Sequence, residues 1–289
     1  MLSCLLVLGC SDTLAPPENL EQPFSMYGAL SPQRDTQSVR IYPIQEFLVQ
    51  PDADDIEDIR VTSTNLQTGV ARTWQDTVVV GLNGEPEFIF WSVFEATYGT
   101  VYRIEAERTS DGARSFAEVR VPELVDIVVE NPRIQGVEIA IRGEGIRVLK
   151  PLVEYFVGVP GSGYLNRRYA FSYQGREQKT DEGWMVEIDF ADERITVQSF
   201  YNIDTPPLQS GSDCAAITLL ELSLEVLVGN SSWDPPGGIF DPNLLIRQGA
   251  MSNVENGFGF IGAGYRTSSD VTPPSDIVEA ACFAVPAHP

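Results

Sequence analysis

The amino-acid sequence predicts an all-β protein made of two antiparallel β-sandwich-like domains. From Pro23 onward, short runs alternate apolar and polar residues, which is the pattern of strands that bury one face. Turn-forming residues interrupt these runs at short intervals, and the chain contains 24 glycines and 20 prolines. Helical periodicity is scarce, and 43% of the residues are hydrophobic, which is enough for a packed core.

The first half of the chain divides into strands and turns in a regular order. Residues 65–69 provide a hairpin turn, Asp111-Gly112 provides a tight one, and residues 50–58 form an acidic loop. The apolar run 88–94 predicts a heavily buried strand. The predicted strands are 25–30, 38–44, 60–64, 70–76, 77–81, 88–94, 100–107 and 114–122.

The end of this half carries a resemblance to known sandwiches. The segment 98–104 (Tyr-Gly-Thr-Val-Tyr-Arg-Ile), the Asp111-Gly112 turn and a strand that ends at Val121-Pro122 resemble the final strands of fibronectin-like and immunoglobulin-like domains. Residues 23–124 also match the size of such a domain, which is about 100 residues. Because these folds host many functions, the resemblance implies an architecture and little else.

The second half predicts another β region with glycine-rich turns. Its strands are expected at 125–129, 137–142, 152–157, 184–190 and 194–201. Residues 215–228 fit a long strand better than a helix, with a helical turn near Leu224 as the alternative. Residues 253–265 alternate glycine with apolar residues, which predicts a strand that passes close to another backbone.

The glycine-rich strand is not expected to bind a nucleotide. Residues 257–262 satisfy the pattern G-x-G-x-x-G, but no βαβ unit surrounds them and no acidic residue stands where a ribose partner would be. The sequence predicts no cofactor.

The N-terminus has the pattern of a bacterial lipobox, Leu5-Leu6-Val7-Leu8-Gly9-Cys10. In such a segment a peptidase cleaves before the cysteine, whose thiol takes the lipid. The basic residue that usually precedes the apolar run is missing here. We therefore expect a signal segment at 1–9, a flexible tether at 10–22, an immunoglobulin/fibronectin-like sandwich at 23–124 and a second β domain at 125–289.

The charge balance excludes one class of partner. The chain has 41 acidic and 19 basic residues, for a formal net charge of −22, and such a surface repels nucleic acid and anionic lipid. No later window reaches the ~18 uninterrupted apolar residues of a membrane-spanning helix. The lipid on Cys10 is therefore expected to be the membrane attachment.

Cysteine and histidine usage limits the chemistry further. Cys214 and Cys282 are expected to form a disulfide in an exported protein, with two buried free thiols as the alternative. Two thiols without neighbouring ligands do not indicate a metal site. The single histidine, His288, lies in the terminal tail, so histidine-dependent catalysis is not expected, whereas chemistry by paired carboxylates remains open.

The candidate binding residues are weak. Trp233 and Tyr164 lie in turn-rich segments where aromatic rings stack on sugars or peptides, although anchoring of the loop against the core is the commoner role. The acidic residues of 52–58 lack the spacing of an EF-hand, so a solvated loop is preferred to a calcium site.

A second resemblance concerns the whole mature chain. The lipobox, the sandwich-like first half and the late motif of Asn253, Val254, Gly257, Gly259 and Gly262 look like an uncharacterised family of outer-membrane lipoproteins from bacteria rich in TonB-linked nutrient transporters. The resemblance implies a lipid-anchored accessory protein beside such a transporter, facing the periplasm or the cell surface, and it implies no established activity.

The sequence thus predicts a non-catalytic binding or accessory component of the cell envelope. Its partners would be the membrane, through the lipid, and an outer-membrane transporter or a glycan or peptide ligand. The alternative function is a carbohydrate-active enzyme that uses a pair of carboxylates.

Overall fold

The computed structural model describes residues 22–44, 53–81, 86–132, 136–158, 166–204, 217–233 and 252–286. Within these ranges most residues lie in strands, and the predicted all-β, sandwich-like fold class is confirmed. The chain also forms a 3-10 turn at Ala53–Asp58 and two helices, α1 (Phe190–Asp204) and α2 (Ser275–Ala280). Neither helix has the length and apolar character that a bilayer crossing requires.

The strands alternate buried and exposed side chains along most of their length, as the sequence pattern predicts. In chain order they are β1 (Phe24–Leu30), β2 (Thr36–Pro43), β3 (Ile59–Asn65), β4 (Ala71–Thr73), β5 (Gln75–Val80), β6 (Pro86–Val93), β7 (Val101–Arg108), β8 (Arg114–Arg120), β9 (Asp126–Pro132), β10 (Gly136–Arg142), β11 (Ile146–Gly158), β12 (Arg167–Ser172), β13 (Glu177–Thr180), β14 (Gly183–Asp189), β15 (Thr218–Asn230), β16 (Val254–Glu255) and β17 (Gly257–Val271).

These strands form three sheets. The largest has eight strands in the order β12-β11-β15-β17-β1-β2-β6-β5, and the others are β16-β8-β7-β3-β4 and β13-β14-β10-β9. Two hydrophobic cores lie between them: strands β1, β2 and β6 bury residues with the five-stranded sheet, while β11, β15 and the end of β17 do so with the four-stranded sheet. The eight-stranded sheet therefore supplies one layer to each of two sandwiches.

Strand β17 joins the two halves of the molecule. It pairs in parallel with β1, from Phe24 opposite Gly257 to Leu30 opposite Ala263, and antiparallel with β15. Its Ile261 and Ala263 belong to the core of the first sandwich, whereas its Tyr265 belongs to the second. The division at residue 124 stays a prediction, and a C-terminal strand completes the N-terminal core.

The glycine-rich motif has a structural role at this junction. The Asn253 side chain donates a hydrogen bond to the Ile261 carbonyl (2.7 Å) and accepts one from the Ile261 amide (3.0 Å). Between them, Asn256 and Gly259 adopt φ values of 52° and 102°. The bend between β16 and β17 thus depends on an asparagine and on left-handed backbone, which favours asparagine and glycine.

One predicted strand is wrong. Residues 194–201 alternate like a strand but belong to helix α1. The Asp189 carboxylate accepts hydrogen bonds from the amides of Ala191 (2.9 Å) and Asp192 (3.2 Å), which caps the first turn. Buried residues Phe190, Glu193 and Val197 then recur at helical spacing. The strand predicted at 215–228 is confirmed, in contrast, from Thr218 onward by β15, and residues 215 and 216 lie outside the described residues.

A groove beside strand β15

The clearest concave feature of the second sandwich lies at the start of β15. Pairing between β15 and β17 begins at Leu222 opposite Val271, so the first residues of β15 extend beyond the end of β17. Closer to the start of β15, the Leu219 amide donates a hydrogen bond to the Ala284 carbonyl (3.0 Å), and the Ala284 amide donates one to the Ile217 carbonyl (2.8 Å). A groove lies beside β15, between the end of β17 and the terminal segment that contains Ala284.

The groove has a volume of about 540 Å³ and a largely apolar lining. Residues 219–222 of β15 line it on one side, and Val271, the last residue of β17, and Pro273 line it on another. Helix α2 contributes Ser275 and Val278, and the terminal segment contributes Val285 and Pro286. This volume falls within the range of ~300–1,000 Å³ that is typical of sites for small ligands.

A β-bulge shapes this part of β15. Phe156 of β11 pairs with Glu221, and the next residue, Val157, pairs with Leu219, so Leu220 is the extra residue. The bulge interrupts the alternation of buried and exposed residues. Leu219 and Leu222 are both buried although they are three positions apart, and Glu221, which lies between them in the chain, is exposed. Bulges re-aim side chains in this way next to binding and active sites.

Two carboxylates lie on the solvent side of the groove. Glu221 forms a salt bridge with Arg168 of β12 (2.9 Å), and Arg168 forms a second salt bridge with Glu154 of β11 (2.6 Å). Asp270 lies opposite Ser223 on the neighbouring strand, so it is diagonal to Glu221. The Cα atoms of such diagonal neighbours are about 7–8 Å apart. The groove therefore combines an apolar surface with negative charge at its rim.

A buried polar cluster lies inside the same sandwich. Tyr155 and Tyr173 have no exposed surface, and Glu193 is 7% exposed. Burial raises the pKa of the Tyr155 hydroxyl well above its usual value, and it also raises the pKa values of Tyr173 and Glu193. Arg176 lies 3.7 Å from Glu193 and 4.9 Å from the centre of the Tyr173 ring.

Tyr155, Tyr173 and Glu193 are buried and join separate elements, whereas the Arg176 side chain lies at the surface and is 58% exposed. Tyr173 and Arg176 lie in the connection between β12 and β13, and Glu193 lies in the first turn of α1. The Tyr155 ring packs against Phe171, Phe190 and Phe283. We therefore interpret the cluster as an anchor of helix α1 on the sheet.

The structure places Trp233 against the eight-stranded sheet. Its indole ring meets Phe260 edge to face, with the ring centres 5.9 Å apart. A Cβ atom at Gly262 would lie 2.7 Å from the indole, so this glycine makes room for the ring. Trp233 is partly buried there, away from the residues that line the groove.

The other predicted site residues are only partly within the described chain. Cys10, Tyr164 and Cys214 lie outside the described residues. Cys282 follows helix α2 with a left-handed φ of 64°, and its sulfur is engaged, so it is not a free thiol. The pairing of Cys214 with Cys282 stays a prediction.

The acidic loop contains a short turn, in which the described carboxylates of Glu57 and Asp58 are exposed and half-buried, respectively. Residues 53–58 form a 3-10 turn, and Ile56 is buried. Asp58 accepts hydrogen bonds from the Thr109 hydroxyl (2.6 Å), the Ser110 amide (2.8 Å) and the Ser110 hydroxyl (2.5 Å). Within the described residues, no three histidine, cysteine or acidic side chains gather as metal ligands.

The residues of the groove were not singled out from the sequence. They come from two regions that are far apart in the chain: residues 219–222 of β15, and residues 270–286, which include the end of β17, helix α2 and the terminal segment. The available signal in the sequence was the adjacent apolar pair Leu219-Leu220, which breaks the apolar–polar alternation of the residues that directly follow it. That break indicates a bulge but does not show what lies beside it.

No protein-family model matches the sequence, and no curated protein does. Among solved structures, a type I pullulanase from Bacillus subtilis str. 168, complexed with maltose, is 10% identical; the alignment covers 71% of this chain and 23% of that one, with a TM-score of 0.21. Bovine butyrophilin is also 10% identical over 87% of this chain and 99% of that one, with a TM-score of 0.20. Likeness at this level supports no statement about function.

Proposed function

We propose that this protein is a lipid-anchored component of the cell envelope that binds a ligand without catalysing a reaction. The observation that carries the proposal is the groove beside β15, with its apolar lining and a volume of about 540 Å³. Burial of an apolar ligand surface in such a groove is favourable by about 25 cal/mol per Å². The carboxylates of Glu221 and Asp270 favour a ligand that also carries a cationic or hydroxyl group.

The cellular setting of the proposal comes from the sequence. The run that ends at Cys10 supports a lipid anchor, and the motif at 253–262 supports an accessory role beside an outer-membrane nutrient transporter. The net charge of −22 keeps the folded body away from anionic membrane surfaces. A lipid on a tether would hold the protein at the membrane in spite of that repulsion.

A neutral apolar dye tests the groove directly. Nile red should bind the purified protein and increase in fluorescence, and Ser275→Trp should abolish the increase because Ser275 lines the groove. Glu279→Trp is the matched control, since Glu279 is exposed on the same helix outside that lining. Equal binding by both variants would refute the groove as the ligand site.

The anchor has its own test. Labelled palmitate fed to the native cells should be incorporated into the protein, and Cys10→Ala should remove the label. Cys4→Ala is the control and should retain it, because Cys4 precedes the predicted cleavage position. A mature protein whose unmodified N-terminus lies upstream of Cys10 would rule out the anchor.

One observation favours the alternative function. Glu221 and Asp270 both line the groove, at diagonal positions of neighbouring strands, and a pair of carboxylates is what glycoside cleavage requires. If the protein is a carbohydrate-active enzyme, the purified protein should release reducing sugar from a glycan, and Glu221→Gln and Asp270→Asn should each stop the release. Sugar release of this kind would overturn the non-catalytic proposal.

A further inference from the structure

Strand β5 forms one end of the eight-stranded sheet. All six of its residues are exposed, and Val78, Val79 and Val80 have exposed fractions of 36%, 39% and 78%. Within the described residues, β5 pairs with β6 alone, in continuous register from Gln75 opposite Trp91 to Val80 opposite Pro86. Among the described residues, its outer edge therefore presents unpaired backbone N–H and C=O groups beside an apolar run, and the 3-10 turn at Ala53–Asp58 lies near the strand.

The other described sheet edges each have a feature that discourages pairing. Strands β4 and β16 have three and two residues. Strand β13 is four residues long and contains Lys179, and β9 ends in Pro132. At the opposite end of the eight-stranded sheet, β12 carries the adjacent charged residues Arg167 and Arg168, and the Arg168 side chain is 51% exposed. Strand β5 has six residues and no lysine, proline or bulge.

We propose that β5 receives an extended strand from a different polypeptide, which adds a ninth strand to the sheet. The unpaired edge specifies an extended backbone, since only a strand can bond to alternate N–H and C=O groups along it. The exposed valines favour β-branched or other apolar residues in that strand.

Charge decides between a second copy of this chain and a different partner. Each copy carries a formal charge of −22, so two copies repel each other. Asp76 is exposed near the start of β5, and a basic residue opposite it would be favoured. The partner strand is thus apolar along its length and basic at one end or both.

A synthetic peptide provides the test. The probe is an acetylated and amidated heptapeptide of alternating valine and threonine with lysine at both ends. In NMR spectra of the labelled protein, it should shift the amide signals of residues 75–80 and slow their hydrogen exchange. The same peptide with a central proline, which lacks one backbone donor, should bind about tenfold more weakly.

Substitutions in the protein complete the test. Val79→Lys should weaken binding of the peptide at least about tenfold, because lysine on an edge opposes strand addition. Val70→Lys is the matched control, since Val70 is 48% exposed at a different sheet, and it should leave binding unchanged. Shifts confined to the groove beside β15, no binding at millimolar peptide, or dimerisation of the protein that Val79→Lys abolishes would each overturn the proposal.

Discussion

Gly259 crosses the carbonyl of Met26 so closely that a Cβ atom on it would lie 2.2 Å from the Met26 oxygen. The two residues are partners in the parallel pairing of β17 with β1. Gly259 also has a φ of 102°, a conformation that residues with side chains rarely adopt. This contact holds the first strand of the eight-stranded sheet in chain order, β1, against the last one, β17.

Gly259→Ala should destabilise the protein by about 2–4 kcal/mol, because it combines backbone strain with a clash against a carbonyl that cannot move freely. Thermal or urea unfolding measures the loss. Gly69→Ala is the control: its φ is 71°, and nothing lies within 4 Å of its Cβ position, so it should cost only about 1–2 kcal/mol for the left-handed conformation. Equal losses would show that the contact with Met26 is unimportant.

Residues 23–124 should not fold alone. Without β17, strand β1 loses a neighbour, and the core loses Val254, Ile261 and Ala263. We expect this fragment to lack a cooperative melting transition by circular dichroism. A fusion in which a flexible linker joins residues 252–271 to its C-terminus should restore the transition. A fragment that melts cooperatively without them would establish an independent domain that ends at 124.

Asp58 should make stability depend on pH in the acidic range. The hydrogen bonds from Ser110 and Thr109 lower the pKa of this carboxyl below its ordinary value of 3.8. A lowered folded-state pKa stabilises the fold above the unfolded value, and this contribution disappears as the pH falls through the folded one. The gap in melting temperature between the native protein and Asp58→Asn should therefore be constant above about pH 5 and close at lower pH.

The donors to Asp58 provide the control for that measurement. Ser110→Ala removes one hydroxyl and should reduce the pH dependence, because the Ser110 hydroxyl is the largest cause of the lowered pKa. A gap that stays the same down to the lowest pH would contradict the assignment.

Cys214 and Cys282 should be joined by a disulfide in protein from its native compartment. Mass spectrometry of a digest prepared without reductant should recover the two peptides linked. Replacement of both by serine should lower stability by about 4 kcal/mol on the chain-entropy model, since the bond closes a long loop. Recovery of both peptides as free thiols would contradict the prediction.

The strands were predictable where alternation and turn chemistry agree. Strands β7 and β8 bury every second residue around the Asp111-Gly112 turn. Three glycines of β17, Gly257, Gly259 and Gly264, do approach the backbone of another strand. The prediction of a strand at 194–201 is wrong because alternation alone does not reveal the helix that begins at the Asp189 cap. Asp189 and the acidic first turn, Asp192 and Glu193, were the visible signals of a helix start.

Local sequence determined that this chain forms strands, where most of them turn, and that it contains a single histidine, close to the end of the sequence. These properties depend on the residue and its near neighbours, through side-chain alternation, backbone preference and composition. Tertiary structure alone decided that β17 completes the first core, that a bulge in β15 meets the distant segment 270–286 to form the groove, and that β5 ends the eight-stranded sheet within the described residues. Each of these depends on pairing between residues far apart in the chain, which local patterns do not encode.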